Sequence, residues 1–397
     1  MSSVTLLLGS GVSLSAGMPS TQDITRLVVS GEGAWRHTDE RYILTGDPNH
    51  SLEPESVPLV LSFLSSLAKL AEQYYGPTFS AHANYEELFY LARQVADCET
   101  REYDNPAVLP LCRRLRRELN PRLGVAGTFG RGYWSLARLA DETCSYIADV
   151  ALHLLCARPK TTEYIAPLVR TFCQTASGSG TIATLNHDTV IESALCAIEV
   201  PYDDGFVALT PEMARLEPAR LAAGSVLRVL KLHGSLDWHW VQERDCDTPR
   251  EFRVRISPGA DHSKLLLPDG SRFRVTSTRP LILIGTHNKI LDYSGEVFLR
   301  LFYRFSEALQ KSSSLVVCGY GFGDKGINRT VLEWLESESS RRMTIIHPDP
   351  DALCREAREA ISSRWDSWRE RHKLRLVPRK LEELTASDLE KVFSPDL

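Results

Sequence analysis

The stretch VTLLLGSGVSLSAGMPST, from Val4 to Thr21, decides the fold. It starts with a short apolar run, as in a strand that is buried on both faces of a sheet. Gly9 and Gly11 follow where the chain must turn, and glycine allows positive φ and the close approach of another group. A strand, a glycine turn and a helix N-terminus can hold a phosphate on free N–H groups. The spacing is not the dinucleotide fingerprint G-x-G-x-x-G, so a phosphate cradle and an ordinary turn both stay open.

Composition limits the class of protein. The chain has 397 residues, 43% hydrophobic and 24% charged, as in a soluble globular protein with two domains or one core with a large insertion. The net charge of −5 gives no support to nucleic-acid binding. No stretch approaches 18 apolar residues, so no membrane span is expected. The nine cysteines form no C-x-x-C pair, which predicts a reduced, cytoplasmic protein without a zinc ribbon or other bound metal.

Hydrophobic periodicity divides the chain into two kinds of segment. Apolar residues recur at helical spacing over residues 58–156, with few strand signals. From Thr171 onward, short apolar strands alternate with helices, which predicts a parallel sheet covered on both faces. We therefore predict an α/β fold, a Rossmann-like parallel sheet with a large helical insertion. Residues 1–34 and 165–397 would form one discontinuous domain, and residues 35–164 the insertion.

Polar clusters follow five of the predicted strands. Ligands of open parallel sheets bind beyond the carboxyl ends of the strands, so these clusters fall on the predicted reactive edge. A sixth strand is predicted at Leu281–Ile284. Caps and turns explain glycine, asparagine and aspartate, but not three histidines at strand ends. The clusters are Gly9-Ser10-Gly11, Asn186-His187-Asp188, His233-Gly234-Ser235, Gly319 to Asp324, and His347-Pro348-Asp349.

Three of these side chains are candidate catalytic residues. Asn186 can hydrogen-bond a ribose hydroxyl or hold a water with both ends of its amide. Asp188 can accept a hydrogen bond from a ribose hydroxyl or an amide, and the alternative is a helix N-cap. His233 is a candidate general base, because imidazole titrates near neutral pH, and the alternative is a buried core histidine.

The motifs resemble those of the sirtuin superfamily. GSGVSLSAGMPS is similar to the signature G-A-G-x-S-x-x-x-G-I-P, TLNHD to the strand end T-x-N-x-D, and KLHGSLDW to the catalytic H-G-S. PYDDGF, LVVCGYGFGDKGIN and NYEELFYL resemble more closely the bacterial sirtuin-like NADases of anti-phage defence. The similarity runs roughly from Ser2 to Asp23 and from Thr171 to Pro350, with the motifs in the family's order.

The resemblance implies a site for NAD, used as a substrate, with no metal. It implies that Asn186 and Asp188 hold the nicotinamide ribose and carboxamide, and that His233 faces the ribose hydroxyls as base. The other implied NAD-binding residues are Gly9, Ser10, Gly11 and Ser13 at the pyrophosphate, Pro19 and Thr21 beside nicotinamide, and Gly319, Gly321, Asp324 and His347 around the adenosine half.

The resemblance also implies an activity. An NAD+ hydrolase would form nicotinamide and ADP-ribose and act in anti-phage defence by depleting NAD once activated. Homo-oligomerisation or a partner such as a HerA-type ATPase would control it. Sirtuin deacylases usually carry four zinc-binding cysteines, and this sequence has no such pairs. A protein deacylase or ADP-ribosyltransferase and a non-catalytic NAD or ADP-ribose sensor are the alternatives.

Overall fold

A computed structural model describes the chain over residues 4–51, 53–75, 83–102, 105–119, 134–176, 180–217, 219–220, 226–244, 249–262, 264–285 and 296–394. The chain divides into two compact units by packing. The first unit comprises Met1–Met18, Arg158–Leu283 and Lys289–Leu397, and the second comprises Pro19–Ala157 and Ile284–Asn288. The domain boundaries proposed from the sequence stay a prediction, because packing alone does not show which part folds independently.

The described residues form three sheets. The strands are β1 Val4–Leu8, β2 Trp35–Arg36, β3 Tyr42–Ile43, β4 Thr181–Thr184, β5 Tyr202–Asp203, β6 Phe206–Thr210, β7 Met213–Leu216, β8 Leu227–Lys231, β9 Trp238–Glu243, β10 Glu251–Ile256, β11 Phe273–Val275, β12 Ser314–Cys318, β13 Arg342–Ile346 and β14 Leu374–Val377.

Helices occupy most of the remaining described chain. No described helix is both long and apolar enough to cross a membrane. The α-helices are α1 Thr21–Ser30, α2 Ser56–Tyr75, α3 Tyr85–Thr100, α4 Leu109–Leu119, α5 Leu136–Leu155, α6 Ala166–Thr175, α7 Val190–Ala197, α8 Glu296–Lys311, α9 Lys325–Ser337, α10 Pro350–Glu356, α11 Glu359–Ser362, α12 Trp365–Glu370 and α13 Ala386–Phe393.

The first unit is built on a seven-stranded parallel sheet. Its strand order is β14-β13-β12-β1-β4-β8-β5, and every neighbouring pair is parallel. The N-terminal strand β1 therefore lies at the centre, between β12 and β4. The predicted α/β class with a Rossmann-like parallel sheet is confirmed.

Both faces of β1 are buried, as its apolar run predicts. All five of its residues are buried. Leu7 packs with Leu315 and Val317 of β12 in one hydrophobic cluster, whereas Leu6 and Leu8 belong to a second cluster. Because side chains alternate along a strand, these two clusters are the layers that cover the two faces of the sheet.

A second sheet of the first unit is antiparallel. It has five strands in the order β11-β9-β10-β7-β6 and its own core, which includes Val241, Phe252 and Val254. The predicted strand at Leu281–Ile284 is wrong: within it, only an isolated antiparallel bridge joins Ile282 to Gly234. This apolar segment instead bonds to the loop after β8, where the Leu283 N–H donates to the His233 carbonyl at 2.9 Å.

The second unit is helical, with a short hairpin formed by β2 and β3. Helix α5 packs against α3 and α2 through apolar residues of its buried face. A half-buried charge network includes the pairs Arg36–Glu53, Arg36–Glu142 and Arg138–Glu53. The helical texture predicted for this part of the sequence is present in its described residues.

Candidate functional site

Four adjacent strand ends carry most of the predicted site residues. Strands β12, β1, β4 and β8 lie side by side in this order. Gly319, Gly9, Asn186 and His233 follow them, each one or two residues after its strand ends. Residues that are far apart in the sequence therefore meet at one edge of the sheet, where parallel sheets bind their ligands.

The turn after β1 packs directly against the turn after β12. The Gly9 N–H donates to the Cys318 carbonyl at 3.0 Å, and the Gly11 N–H donates to the Gly319 carbonyl at 2.9 Å. The Val12 N–H donates to the Gly9 carbonyl at 3.1 Å. The expectation of free N–H groups in this turn is therefore wrong for these three residues. The predicted place of Gly9 and Gly11 at the pyrophosphate stays a prediction, but it cannot rest on those donors.

The helix expected after the glycine turn begins later than predicted. Ser10–Ser13 form a single 3-10 turn, which is too short to carry a helix dipole of full strength. Helix α1 starts at Thr21, where Ser20 and Asp23 form a capping box. Pro19 and Thr21 belong to the second unit, and their predicted contact with nicotinamide stays a prediction.

Gly319→Ala is expected to destabilise the protein because the two turns leave no room for a side chain. Gly319 has a φ of +67°, and an added Cβ would lie 2.4 Å from the Val12 nitrogen. We expect the free energy of unfolding in urea to fall by more than about 1 kcal/mol. Gly321→Ala is the matched control, since an added Cβ there has nothing within 4 Å. Equal stability of the two variants would contradict the close crossing of the turns.

Asn186 is held by its amide nitrogen and presents its amide oxygen. The side chain Nδ2 donates to the Gly9 carbonyl at 3.1 Å and to Ser13 Oγ at 2.9 Å. A carbonyl can only accept, so these bonds decide which end of the amide is nitrogen. Asn186 is 5% exposed, and its Oδ1 has no hydrogen-bond partner within the described residues. An unpaired buried acceptor costs about 1–3 kcal/mol, which a donor from a ligand or water would recover.

The Ser13 hydroxyl connects Asn186 to Asp188. It accepts from Asn186 Nδ2 and donates to the Asp188 carboxylate. Burial raises the pKa of Asp188, although the Lys231 ammonium and two hydrogen bonds favour its charged form. Asp188 Oδ1 also accepts from the N–H of Val190, the first residue of α7, at 3.0 Å, but the N-cap position of this helix is Thr189. One hydrogen-bond network thus connects the residues that follow β1 and β4.

A buried ion pair adjoins this hydrogen-bond network. Lys231 ends β8 and is 2% exposed, and its Nζ lies 2.9 Å from Glu192 Oε1. The same ammonium donates to the Asp188 carbonyl. Burial acts to lower the pKa of Lys231, but the carboxylates of Glu192, Asp188 and Asp237 outweigh it and raise that pKa. Lys231 therefore ties β8 to α7 and to the loop that presents Asn186.

The candidate base His233 contacts a carboxylate. Its Nε2 lies 3.2 Å from Asp324 Oδ2, and the His233 ring centroid lies 6.1 Å from that of His187. The structure thus places Asp324, which the resemblance implied at the adenosine half, against the implied base. Contact of Asp324 with adenosine stays a prediction.

The remaining predicted residues lie at the same edge or beside it. Ser10 and Gly321 are exposed, in the turns after β1 and β12. His347 follows β13, and its Nδ1 lies 2.7 Å from the Asp349 carbonyl oxygen of its own turn. Contacts of these residues with NAD stay predictions. The described ranges contain no group of three or more His, Cys, Asp or Glu that could hold a metal ion.

The raised pKa of Asp204 predicts that the free energy of unfolding depends on pH. Burial raises the pKa of Asp204 to about 6, against the lowering effect of Arg255. A carboxyl with a raised pKa favours the folded state when protonated, so its contribution is full below about pH 4 and lost as the pH rises through 6. Between pH 4 and pH 7, the free energy of unfolding of wild type should fall by roughly 3 kcal/mol at most, relative to that of Asp204→Asn. Urea unfolding of both proteins at each pH measures this difference, and a constant difference would contradict the raised pKa.

Sequence reasoning missed Lys231 and Glu192 as part of the site. The signal was the lysine in VLKL, because a fully buried lysine nearly always has a charged partner. The partner could not be found without the fold, since Glu192 lies on α7 after another strand.

Part of the chain is similar to a known family model. Residues 180–372 match the family model described as "SIR2-like domain". The matched range includes Asn186, His233 and Asp324. The match supports the resemblance of the sequence to the sirtuin superfamily. A search of curated protein sequences found no significant match.

Solved structures of Sir2 proteins are similar to the chain at low identity. A Sir2 homologue in complex with NAD shares 12% identity, with 98% of this chain and 88% of that chain covered and a TM-score of 0.38. A mutant Sir2 homologue in complex with ADP-ribose shares 12%, covering 98% and 91%, with a TM-score of 0.37. With TM-scores below 0.5, these similarities do not bear on the chemistry of the site.

Proposed function

We propose that this chain is an NAD+ hydrolase, which converts NAD+ to nicotinamide and ADP-ribose. The observation that carries the proposal is the buried amide oxygen of Asn186, which is fixed at the carboxyl edge of a parallel sheet and has no partner in the part of the chain that the structure describes. The match of residues 180–372 to the SIR2-like domain and the sequence motifs support NAD as the substrate. The residues present fit that substrate, because ribose hydroxyls supply the donors that Asn186 Oδ1 lacks.

The proposed reaction breaks the bond between the nicotinamide nitrogen and the ribose carbon. Nicotinamide leaves with both electrons of that bond, and water supplies the new oxygen on the carbon. A proton of that water passes to His233 and then to solvent. Asn186 would hold the water or a ribose hydroxyl, and base assistance of this kind contributes about 10²–10⁴ in rate.

Charge at the site suits a cationic transition state. Positive charge develops on the ribose as nicotinamide leaves, and a nearby carboxylate lowers the energy of that charge in a site shielded from water. Asp188 is the carboxylate closest in sequence to Asn186 and shares the Ser13 hydroxyl with it. Burial raises the pKa of Asp188, and the Lys231 ammonium and the hydrogen bond from Ser13 act against burial by favouring the charged form.

Water is the proposed acceptor, and an acylated peptide is the main alternative. The sequence lacks the paired cysteines of sirtuin deacylases. Near the place after the proline where those enzymes usually carry Asp-Phe-Arg, this chain has Thr21-Gln22-Asp23. NAD+ turnover should therefore proceed without added peptide or target protein. A non-catalytic sensor is the second alternative, and it would bind NAD or ADP-ribose and leave it unchanged.

The biological role proposed is anti-phage defence by depletion of NAD. Similarity of PYDDGF and LVVCGYGFGDKGIN to the defence NADases supports this role. Such an enzyme must be inactive until triggered, so we propose control by homo-oligomerisation or by a HerA-type ATPase partner. Cells that carry the chain and its partner should lose NAD after infection, and unchanged NAD together with unchanged phage yield would contradict the role.

The acceptor can be tested with the purified chain. NAD+ is incubated with the protein, with and without an acetyl-lysine peptide, and nicotinamide and ADP-ribose are quantified by chromatography. We expect equal molar amounts of the two products and the same rate with or without peptide. Nicotinamide release that requires peptide would replace the hydrolase proposal with a deacylase.

A further inference from the structure

Asp324 makes two contacts through its two carboxylate oxygens. Oδ1 accepts from the Ile327 N–H at 2.9 Å, so Asp324 caps helix α9. Oδ2 lies 3.2 Å from His233 Nε2. The side chains of Asp324 and His233 are 5% and 4% exposed, so this contact is shielded from water. A cap needs only one of the two oxygens, and here the second lies against the imidazole.

The turn that carries Asp324 is held by buried side chains. The Asp324 N–H donates to the Tyr320 hydroxyl oxygen at 3.2 Å, and that hydroxyl donates to Asn328 Oδ1 at 2.7 Å. Asn328 Nδ2 donates to the Phe322 carbonyl at 2.7 Å. The sequence GYGFGDKGIN thus folds back on itself and fixes the carboxylate of Asp324 without help from a ligand.

The backbone of His233 is fixed as well. Its carbonyl accepts from the Leu283 N–H, and the next residue, Gly234, has a φ of +79° and bridges to Ile282. Two separately anchored turns therefore present the imidazole and the carboxylate to each other. Such pre-organisation is what a side chain needs in order to orient a base.

We propose that Asp324 is the positioning residue of His233. The carboxylate accepts from Nε2–H, so in the neutral imidazole Nδ1 carries the lone pair that takes the proton. When His233 accepts a proton from water, the adjacent carboxylate stabilises the imidazolium. This inference rests on the proposed hydrolysis of NAD+, and it assigns to Asp324 an action through His233 in place of contact with adenosine.

The test replaces Asp324 with asparagine and reads the His233 tautomer. Asp324→Asn keeps a good helix cap and removes the charge. In protein with ¹⁵N-labelled histidine, wild type should show His233 protonated on Nε2, and the variant a changed ratio of the two tautomers. The kcat for nicotinamide release should fall about 10²–10⁴-fold with KM changed only a few-fold, as expected when orientation of the base is lost.

Asp349→Asn is the matched control. Asp349 also caps a helix after a neighbouring strand, since it accepts from the Ala352 N–H at 2.8 Å, but it is exposed. This variant should leave the His233 tautomer unchanged. Loss of the tautomer preference in both variants would mean that the preference does not depend on the contact between Asp324 and His233, and would overturn the proposal.

The outcomes separate this inference from the proposed function. An unchanged tautomer in Asp324→Asn, with wild-type kcat, overturns the positioning role even if NAD+ is hydrolysed. If the tautomer changes in Asp324→Asn but the wild-type protein never cleaves NAD+, the contact between His233 and Asp324 is structural only. That result overturns the hydrolase assignment, and with it the role of Asp324 in catalysis. A second capping variant, Asp324→Ser, should match Asp324→Asn in both measurements.

Discussion

Replacing Asn186 with alanine is expected to lower nicotinamide release from NAD+ by at least about 10²-fold. The variant loses the amide oxygen that would hold water or a ribose hydroxyl, and misplacement of a reacting group costs about this much. It also loses the Nδ2 bonds to the Gly9 carbonyl and the Ser13 hydroxyl. The rate is measured by stopping the reaction of purified protein with NAD+ at intervals and quantifying nicotinamide by chromatography.

Asn186→Ala needs a control for its effect on stability. Two hydrogen bonds of Nδ2 would be lost, at about 0.5–1.5 kcal/mol each, so we expect a loss of about 1–3 kcal/mol in unfolding free energy. Asn84→Ala removes a helix cap in the second unit, where Asn84 Oδ1 accepts from the N–H groups of Glu86 and Glu87, and should cost about 1 kcal/mol. Asn84→Ala should keep the wild-type rate. An Asn186→Ala rate within threefold of wild type would contradict the role of Asn186.

Lys231→Met is expected to destabilise the protein by about 3–5 kcal/mol. Removing one partner of a buried ion pair leaves the other charge without compensation. Here Glu192 would lose its 2.9 Å partner, and the Asp188 carbonyl would lose the ammonium that donates to it. Urea denaturation followed by circular dichroism measures the change.

Two companion variants make the Lys231 prediction specific. Adding Glu192→Gln to Lys231→Met should recover part of the lost stability, because the uncompensated charge is gone. Lys264→Met removes an exposed pair with Asp261 and should cost less than about 1 kcal/mol. A Lys231→Met cost as small as that of Lys264→Met would show that the buried pair does not hold the loop.

The parallel sheet of the first unit could be predicted from the sequence because the pattern of apolar residues shows which segments must be buried. An apolar run such as Val4–Leu8 must lie between two layers, and alternating strands and helices must form a parallel sheet. The polar clusters at the ends of β1, β4, β8 and β12 then fall at one edge. This reasoning predicts Asn186 and His233 as candidate site residues, and the structure brings them to that edge.

Contacts between side chains could not be predicted in the same way. The His233–Asp324 contact depends on the conformation of two turns, and the Lys231–Glu192 pair depends on how α7 packs on β8. The sequence Leu281–Ile284 has the composition of a strand, but its backbone bonds to a loop. Strand β14 lies in a tail with few strand signals and was not predicted.

The glycine turn shows how a motif can be explained by packing. Gly9 and Gly319 are required because the two turns cross at backbone contact distance, with an added Cβ at Gly9 lying 2.6 Å from the Gly319 carbonyl oxygen. Glycine at such a position does not by itself indicate a phosphate. A ligand at this edge is indicated instead by the amide oxygen of Asn186, which is buried and has no hydrogen-bond partner among the described residues.

The central claim is tested most directly by following NAD+ and nicotinamide over time with wild type and Asn186→Ala side by side. The proteins are assayed over a range of concentrations, alone and with a HerA-type ATPase. The hydrolase proposal predicts that wild type converts NAD+ to equal amounts of nicotinamide and ADP-ribose and that Asn186→Ala does so at least about 10²-fold more slowly. NAD+ that stays intact under every condition, or equal rates for the two proteins, would contradict it.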